Sequence, residues 1–395
     1  MKIALFSDTI FPQINGVSKN LDKLIEYFSD NNIEFILFAP EVEGDYDSKY
    51  ESKIIRMSSI DFFLYPELKF SLPNYIKIKT ELRNFQPDLI HLVTPFNIGL
   101  AGRHYAKRHK IPYAAAYLTN FDQYLNYYNI NFLNGVSWKF MKWFHKDADC
   151  NYCPSRDTLE QLKKKGIKNL NIWGRGIDTK LFSPDYRDNN LRKEYNLHDK
   201  TIFLYVGRLA KEKNITLLID SFKKLSRKYK DEIALLITGD GPEIDFLKNK
   251  SSDNIIFTGP KTGEELSKIY ASADIFAFPS VTETYGNVVI EAMSSALPVV
   301  AVMAGGVKEN LIDGFNGLAA KNQADDFTLK LEKLLNNDLL RNKLSKNARE
   351  HAMKQTWDNV FNNLMNSFQE VLDQSYRDAR IEKNNMRQEK GRYIS

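Results

Sequence analysis

The sequence predicts an α/β protein built from two doubly wound parallel-sheet domains in tandem. Short β-rich runs alternate with segments of helical period, the pattern of a parallel sheet covered by helices. The strand series stops once in a polar stretch and then restarts. A length of 395 residues exceeds one ordinary core and suits two domains of roughly 150 to 200 residues each.

The first series of candidate strands covers 2–7, 34–39, 88–94, 112–119, 150–154 and 169–173. Between the first two, Val17, Leu21, Leu24, Ile25 and Phe28 recur at helical spacing and give one apolar face. The stretch SPDYRDNNLRKEYNLHDK, 183–200, is polar and charged and marks the domain boundary. It separates an N-terminal domain, 1–185, from a C-terminal domain, 186–356. The second series opens with TIFLYVGR, 201–208, and runs through 233–239, 255–259, 274–279, 299–302 and 317–320. Beyond it, Trp357, Val360, Phe361, Leu364 and Phe368 predict a helix over about 357–375 that packs back onto the N-terminal domain. The polar remainder, 376–395, is expected to be a flexible basic tail. Two such sheets face a central cleft, and ligands of open α/β sheets bind beyond the carboxyl ends of the strands.

An apolar share of 43% with 27% charged residues is that of a soluble globular protein, which excludes intrinsic disorder. No run approaches the roughly 20 apolar residues of a spanning helix, and MKIALFSDTIF enters a strand without the basic region and cleavage site of a leader. The expectation is a cytoplasmic protein. Cys150 and Cys153 cannot make a disulfide framework, and DADCNYCPS reads as a buried strand with its thiols on opposite faces rather than as a redox pair. The D-A-D triplet at 147–149 imitates a metal motif but lies at a helix-to-strand junction, so no metal site is expected there. A net charge of +5 is too mild for nucleic acid and suits anionic small molecules or an anionic membrane surface.

The strongest chemical signal is ETYGNVVIEAM, 283–293, which follows the strand DIFAFPS and opens a helix. The helix start offers free amides at Gly286, Asn287 and Val288, a cradle for a phosphate. Glu283 and Glu291 flank it, and carboxylates beside a phosphate must face hydroxyls, as a sugar or ribose supplies. The plainer alternative makes Glu283 a loop cap and Glu291 a solvated helix residue. In VGRLAKEKN, Arg208 and Lys213 stand in a strand-to-helix loop of the same domain, where two cations could neutralise a leaving diphosphate.

VGRLAKEKN, TGDGPE, ETYGNVVIEAM and AGGVKENLIDGFNG, in this order and spacing, resemble the nucleotide-sugar glycosyltransferases of family 4. The resemblance continues through DTIFPQINGVSKNL, FQPDLIHLVTPF and IWGRGIDTKLFSP, and so covers most of the chain. These segments look most like the branch of α-mannosyltransferases and of plant and bacterial enzymes that glycosylate lipids. The resemblance implies the GT-B fold and a retaining α-hexosyltransferase, moving a glucose- or mannose-type sugar from a UDP- or GDP-linked donor to a membrane lipid or cell-envelope glycan. It implies that Arg208 and Lys213 hold the diphosphate, that Glu283 contacts the donor sugar and that Glu291 contacts the ribose. Gly16 would let the N-terminal domain approach the phosphates, or is a plain turn glycine. The backbone at Pro260 and Lys261 would seat the base. The leaving phosphate can take the acceptor proton, so neither a dedicated base nor an obligatory metal or cofactor is implied.

Two departures stand out. Where the family commonly has His-Thr after the strand from Pro112, this chain has Leu118 and Thr119, which bears on sugar identity, rate or activity itself. Nearby Asn120, Asp122 and Gln123 would give the acceptor side polar contacts, or form a solvated loop. Ala296 replaces a usual glycine, with an expected effect on packing only. For the acceptor, INFLNGVSWKFMKWFHKDAD interleaves aromatic and basic residues, as a core helix with charged edges or a helix lying in a membrane interface does. The apolar stretch 62–75 could also face a lipid, which makes the protein cytoplasmic or peripheral on the inner face of the membrane. The rival readings are a nucleotide-sugar epimerase or hydrolase on the same fold and a non-catalytic glycosyltransferase-like subunit. A dehydrogenase is disfavoured, because no G-x-G-x-x-G follows either first strand.

Overall fold

Runs such as TIFLYV and IALLIT are apolar on both faces, and only a sheet covered by helices on both sides can bury them. The computed structural model, which describes residues 1–11, 16–41, 50–61, 69–118, 134–283 and 285–392, contains two such sheets. They belong to two compact units, Met1–Gly174 with Val360–Ser395, and Arg175–Asn359. The chain therefore passes between units ahead of the polar stretch 183–200 rather than inside it.

In the first unit the strands are β1 (Lys2–Phe6), β2 (Glu34–Pro40), β3 (Ile54–Met57), β4 (Ser59–Asp61), β5 (Lys69–Ser71), β6 (Leu89–Leu92), β7 (Tyr113–Ala116), β8 (Cys150–Cys153) and β9 (Leu170–Ile172). Seven of them form a parallel sheet in the order β3-β2-β1-β6-β7-β8-β9, while β4 and β5 pair antiparallel. The sequence reading did not anticipate β3, β4 and β5. They are short, β3 lies at the sheet edge, and its IIRM is only partly buried, so the pattern carries little signal.

Asp8, just past β1, is buried, and accepts from the Ile98 and Gly99 amides at 2.8 and 3.4 Å and from the Thr94 hydroxyl at 2.7 Å. It thereby caps the start of the helix Asn97–His109 from across the sheet. Burial outweighs these bonds and raises its carboxyl to about 6.

Helix Asn134–His145 buries one face and exposes the other. Met141 and Phe144 are buried, whereas Val136 and Trp143 are 64% and 50% exposed beside the exposed Lys139, Lys142 and Lys146. The C-terminal helix Trp357–Arg392 buries Phe361, Leu364 and Phe368. Its Ser367 accepts from the Tyr152 hydroxyl at 2.7 Å and the Asn171 amide at 2.9 Å. Residues 376–392, expected to be a flexible tail, continue this helix.

The second unit contains β10 (Thr201–Val206), β11 (Ile233–Thr238), β12 (Ile255–Gly259), β13 (Ile275–Phe278), β14 (Val299–Val302) and β15 (Gly317–Ala320). All are parallel, in the order β12-β11-β10-β13-β14-β15, and they carry one continuous apolar core. The order reverses direction between β10 and β13, so the loops leaving those two strands diverge and leave a crevice beyond their carboxyl ends.

Candidate functional site

The crevice is lined by the loops that carry the predicted charges. After β10, Gly207 turns at φ 152°, and a Cβ on the neighbouring Gly239 would fall 2.0 Å from the Gly207 carbonyl oxygen. Two glycines are thus needed for the loops after β10 and β11 to touch. Arg208 is exposed, and among the described residues its guanidinium has no partner. Its carbonyl is held at 3.1 Å by the Tyr205 hydroxyl. Lys213 ends a single 3-10 turn, Lys211–Lys213. Its ammonium pairs with Glu283 Oε1 and donates to the Thr282 carbonyl at 3.3 Å. The two side chains are only 20% and 15% exposed, so this is a shielded ion pair rather than a loose surface contact.

Helix Asn287–Ser294 begins after β13 with Gly286 at φ 76° and ψ 46°, and among the described residues no side chain caps it. Val289 and Ile290 return their amides to the Gly286 carbonyl, which leaves the Asn287 and Val288 amides without an intrahelical acceptor. The loop before the helix is backed by a glycine pair. A Cβ on Gly305 would meet the Glu283 carbonyl oxygen at 2.4 Å, and one on Gly306 would meet the Tyr285 backbone at 2.5 Å. The Gly306 amide donates to the Glu283 carbonyl at 2.7 Å, which fixes where Glu283 stands. One turn into the helix, Glu291 accepts from the Tyr270 hydroxyl at 2.9 Å, and burial keeps that phenol well above its ordinary pKa and hence neutral.

The second unit thus brings Arg208, Lys213, Glu283, Gly286, Asn287, Val288 and Glu291 to the two strands flanking the crevice. Pro260 and Lys261 follow the edge strand β12, two positions over on the same side of the sheet, with Lys261 3.6 Å from Glu265. Gly16 belongs to the first unit, where it opens the helix Gly16–Asp30. Thr119, Asn120 and Asp122 lie outside the described residues, as does Gln123; Leu118 is described and partly buried beyond β7. Asp147 is paired with Arg103 and Lys107 at 3.0 and 2.6 Å, and Asp149 accepts from the Tyr113 amide at 2.8 Å. Both carboxylates of the D-A-D triplet are therefore engaged in the fold. Among the described residues no group of three or more His, Cys, Asp or Glu could hold a metal, and no helix is long and apolar enough to cross a membrane.

Sequence reasoning missed the supporting residues. Tyr270 reads as core on the helix Gly263–Ser272, and nothing in its spacing announces a bond to Glu291. The Gly305–Gly306 pair was visible as an adjacent glycine doublet after a strand, a signal for close backbone approach. Ala296 corrects the packing reading: it stands at φ 60°, a left-handed conformation that disfavours any side chain, so the replacement of glycine acts on the backbone.

The chain matches two family models, "Glycosyltransferase Family 4" over residues 14–181 and "Glycosyl transferases group 1" over residues 187–351. A GDP-mannose-dependent alpha-mannosyltransferase of Corynebacterium glutamicum is 30% identical over 95% of this chain and 91% of its own length. An alpha-monoglucosyldiacylglycerol synthase of Streptococcus pneumoniae is 31% identical over 76% of this chain and 71% of its own. Among solved structures, Anabaena HepE in complex with UDP superposes with a TM-score of 0.70 at 16% identity, covering 93% of this chain and 99% of that one, a likeness of fold. The strand order, the charged loops around one crevice and these relatives converge: the chain belongs to glycosyltransferase family 4, as a GT-B hexosyltransferase that uses a nucleotide-sugar donor.

Proposed function

We propose that the crevice of the second unit holds the nucleoside diphosphate of a GDP- or UDP-linked hexose, of mannose or glucose type, and that the hexose passes to a lipid or glycan of the cell envelope. The observation that carries this reading is an uncapped helix start at Gly286 flanked by the Lys213–Glu283 pair. Free amides and the positive end of the helix dipole favour an anion there, while the carboxylates suit hydroxyls. On this reading Lys213 turns from Glu283 to a phosphate oxygen and frees the carboxylate for the sugar. Glu291, oriented by Tyr270, takes the ribose, and the backbone at Pro260 and Lys261 lies beside the base.

As the bond from the anomeric carbon to the donor phosphate breaks, charge grows on the diphosphate. Arg208, Lys213 and the helix start stabilise that charge without a metal ion. The leaving phosphate oxygen takes the proton of the acceptor hydroxyl, which attacks the same face and retains the α configuration. Gly16, Thr119, Asn120 and Asp122 remain candidates for the phosphate and acceptor side. The lipid acceptor is supported by the pneumococcal relative's product, a glucosyldiacylglycerol, and by the exposed Val136 and Trp143 among lysines, a face suited to an anionic membrane surface. A panel of UDP- and GDP-sugars, with and without diacylglycerol-containing vesicles, tests this through nucleotide release. Release stimulated by one donor and the lipid together is expected. Release without any acceptor dependence would instead favour a hydrolase or epimerase.

A further inference from the structure

The fold withdraws several arginines from water, and it saturates them. Arg103 meets Asp147 and the carbonyls of Trp143 and Phe144; Arg192 meets Asp274 and the carbonyls of Lys200 and Ser272. Arg349 is wrapped by the carbonyls of Thr179, Phe182 and Ser294. Arg175 is the contrast. It is partly buried, yet among the described residues no carboxylate and no hydrogen-bond acceptor meets its guanidinium. Burial lowers its pKa, and the titratable group that bears on it is the Tyr285 hydroxyl. A partly desolvated cation without a partner opposes folding, so the fold tolerates it at a cost.

Its position links it to the crevice. The Tyr285 hydroxyl donates to the Arg175 carbonyl at 2.8 Å and lies 3.2 Å from Gln355 Oε1. Tyr285 directly precedes Gly286, so Arg175 is fastened, one tyrosine side chain away, to the uncapped helix start. Flanking Gly174 and Gly176 leave the loop slender, and a Cβ on Gly176 would meet Trp357 backbone at 2.5 Å, which holds the loop in register.

We propose that Arg175 is a further oxyanion-binding residue of this site, whose missing partner is a phosphate oxygen brought by a substrate. The proposal rests on the nucleotide-sugar reading above. The phosphate belongs to the donor diphosphate or to a phosphate carried by the acceptor, and a planar guanidinium suits either by a two-pronged bond.

The test uses the full chain as wild type, Arg175→Gln and Arg175→Lys. Calorimetric titration with UDP, GDP, uridine, guanosine and glycerol 3-phosphate is paired with thermal unfolding. Arg175→Gln is expected to weaken nucleoside diphosphate binding by about ten-fold or more while nucleoside affinity holds, with Arg175→Lys in between. Its unfolding temperature is expected to stay level or rise, because a partly buried cation with no partner among the described residues has been removed. Loss confined to glycerol 3-phosphate would assign the phosphate to the acceptor. Undiminished binding in both arms, or a fall in unfolding temperature with loss of nucleoside and diphosphate binding alike, would overturn the proposal and leave the donor reading intact. A wild type that binds no nucleoside diphosphate would overturn both.

Discussion

The two units place a helix at the same topological point and finish its start in opposite ways. In each, the central strand pairs with the strand across the reversal of order, and a helix follows that second strand: Asn97–His109 after β6, Asn287–Ser294 after β13. The first unit fills its helix start from within, with the buried carboxylate of Asp8 on the Ile98 and Gly99 amides. The second puts Gly286 there and leaves the Asn287 and Val288 amides without an intrahelical acceptor, with the Lys213–Glu283 pair in the loop before them. One helix dipole is thus spent on the fold, and the other stays available for a ligand anion.

This contrast can be broken from either side. The largest effect is expected from Arg208→Ala, which removes an exposed cation whose guanidinium has no partner among the described residues. Turnover should fall by roughly 10²- to 10³-fold, with stability unchanged in urea unfolding. Glu291→Ala should act instead on donor KM; unchanged kinetics in both variants would remove these residues from the site.

Next comes the internal cap. The Asp8 carboxyl stands at about 6 in the fold against an ordinary 3.8. The fold therefore favours the protonated form. Its contribution to stability is full at acid pH near the ordinary value and is lost as pH rises through the folded one. The loss amounts to about 3 kcal/mol. Urea unfolding of wild type and Asp8→Asn from pH 4 to 7 should show the wild type losing ground to the variant up to about pH 6 and holding level above it. A difference that does not vary with pH would show that Asp8 titrates normally.

A third experiment turns the second unit into a copy of the first. Gly286→Asp puts a carboxylate at the open start, with Gly286→Ala as the control for the left-handed backbone. Donor KM should rise by about ten-fold or more over the alanine control. Equal KM values would mean that no phosphate uses this helix. The smallest effect concerns the far end of the same helix, where Ala296→Gly should raise stability by about 1 kcal/mol in chemical unfolding, with kinetics unchanged.

Much of this was legible in the chain alone. The apolar runs of β10, β11 and β14 are buried on both faces, so hydrophobicity by itself announces a covered parallel sheet. ETYGNVVIEAM and VGRLAKEKN stand out as loops at strand ends because strand, turn glycine and helix are contiguous in sequence. The edge strand β3 and the hairpin β4–β5 escaped notice, since a few partly buried residues make no period.

What the sequence by itself determined is what local pattern can encode: two α/β units, the order of their elements and the loops that carry charge. Only the tertiary structure decided that Lys213 would pair with Glu283 seventy positions later, that Tyr270 would hold Glu291, and that Arg175 would find no counterion among the described residues. Such relations depend on which strand ends lie side by side. That follows from sheet order, and sheet order is set by the packing of the whole domain rather than by any one segment.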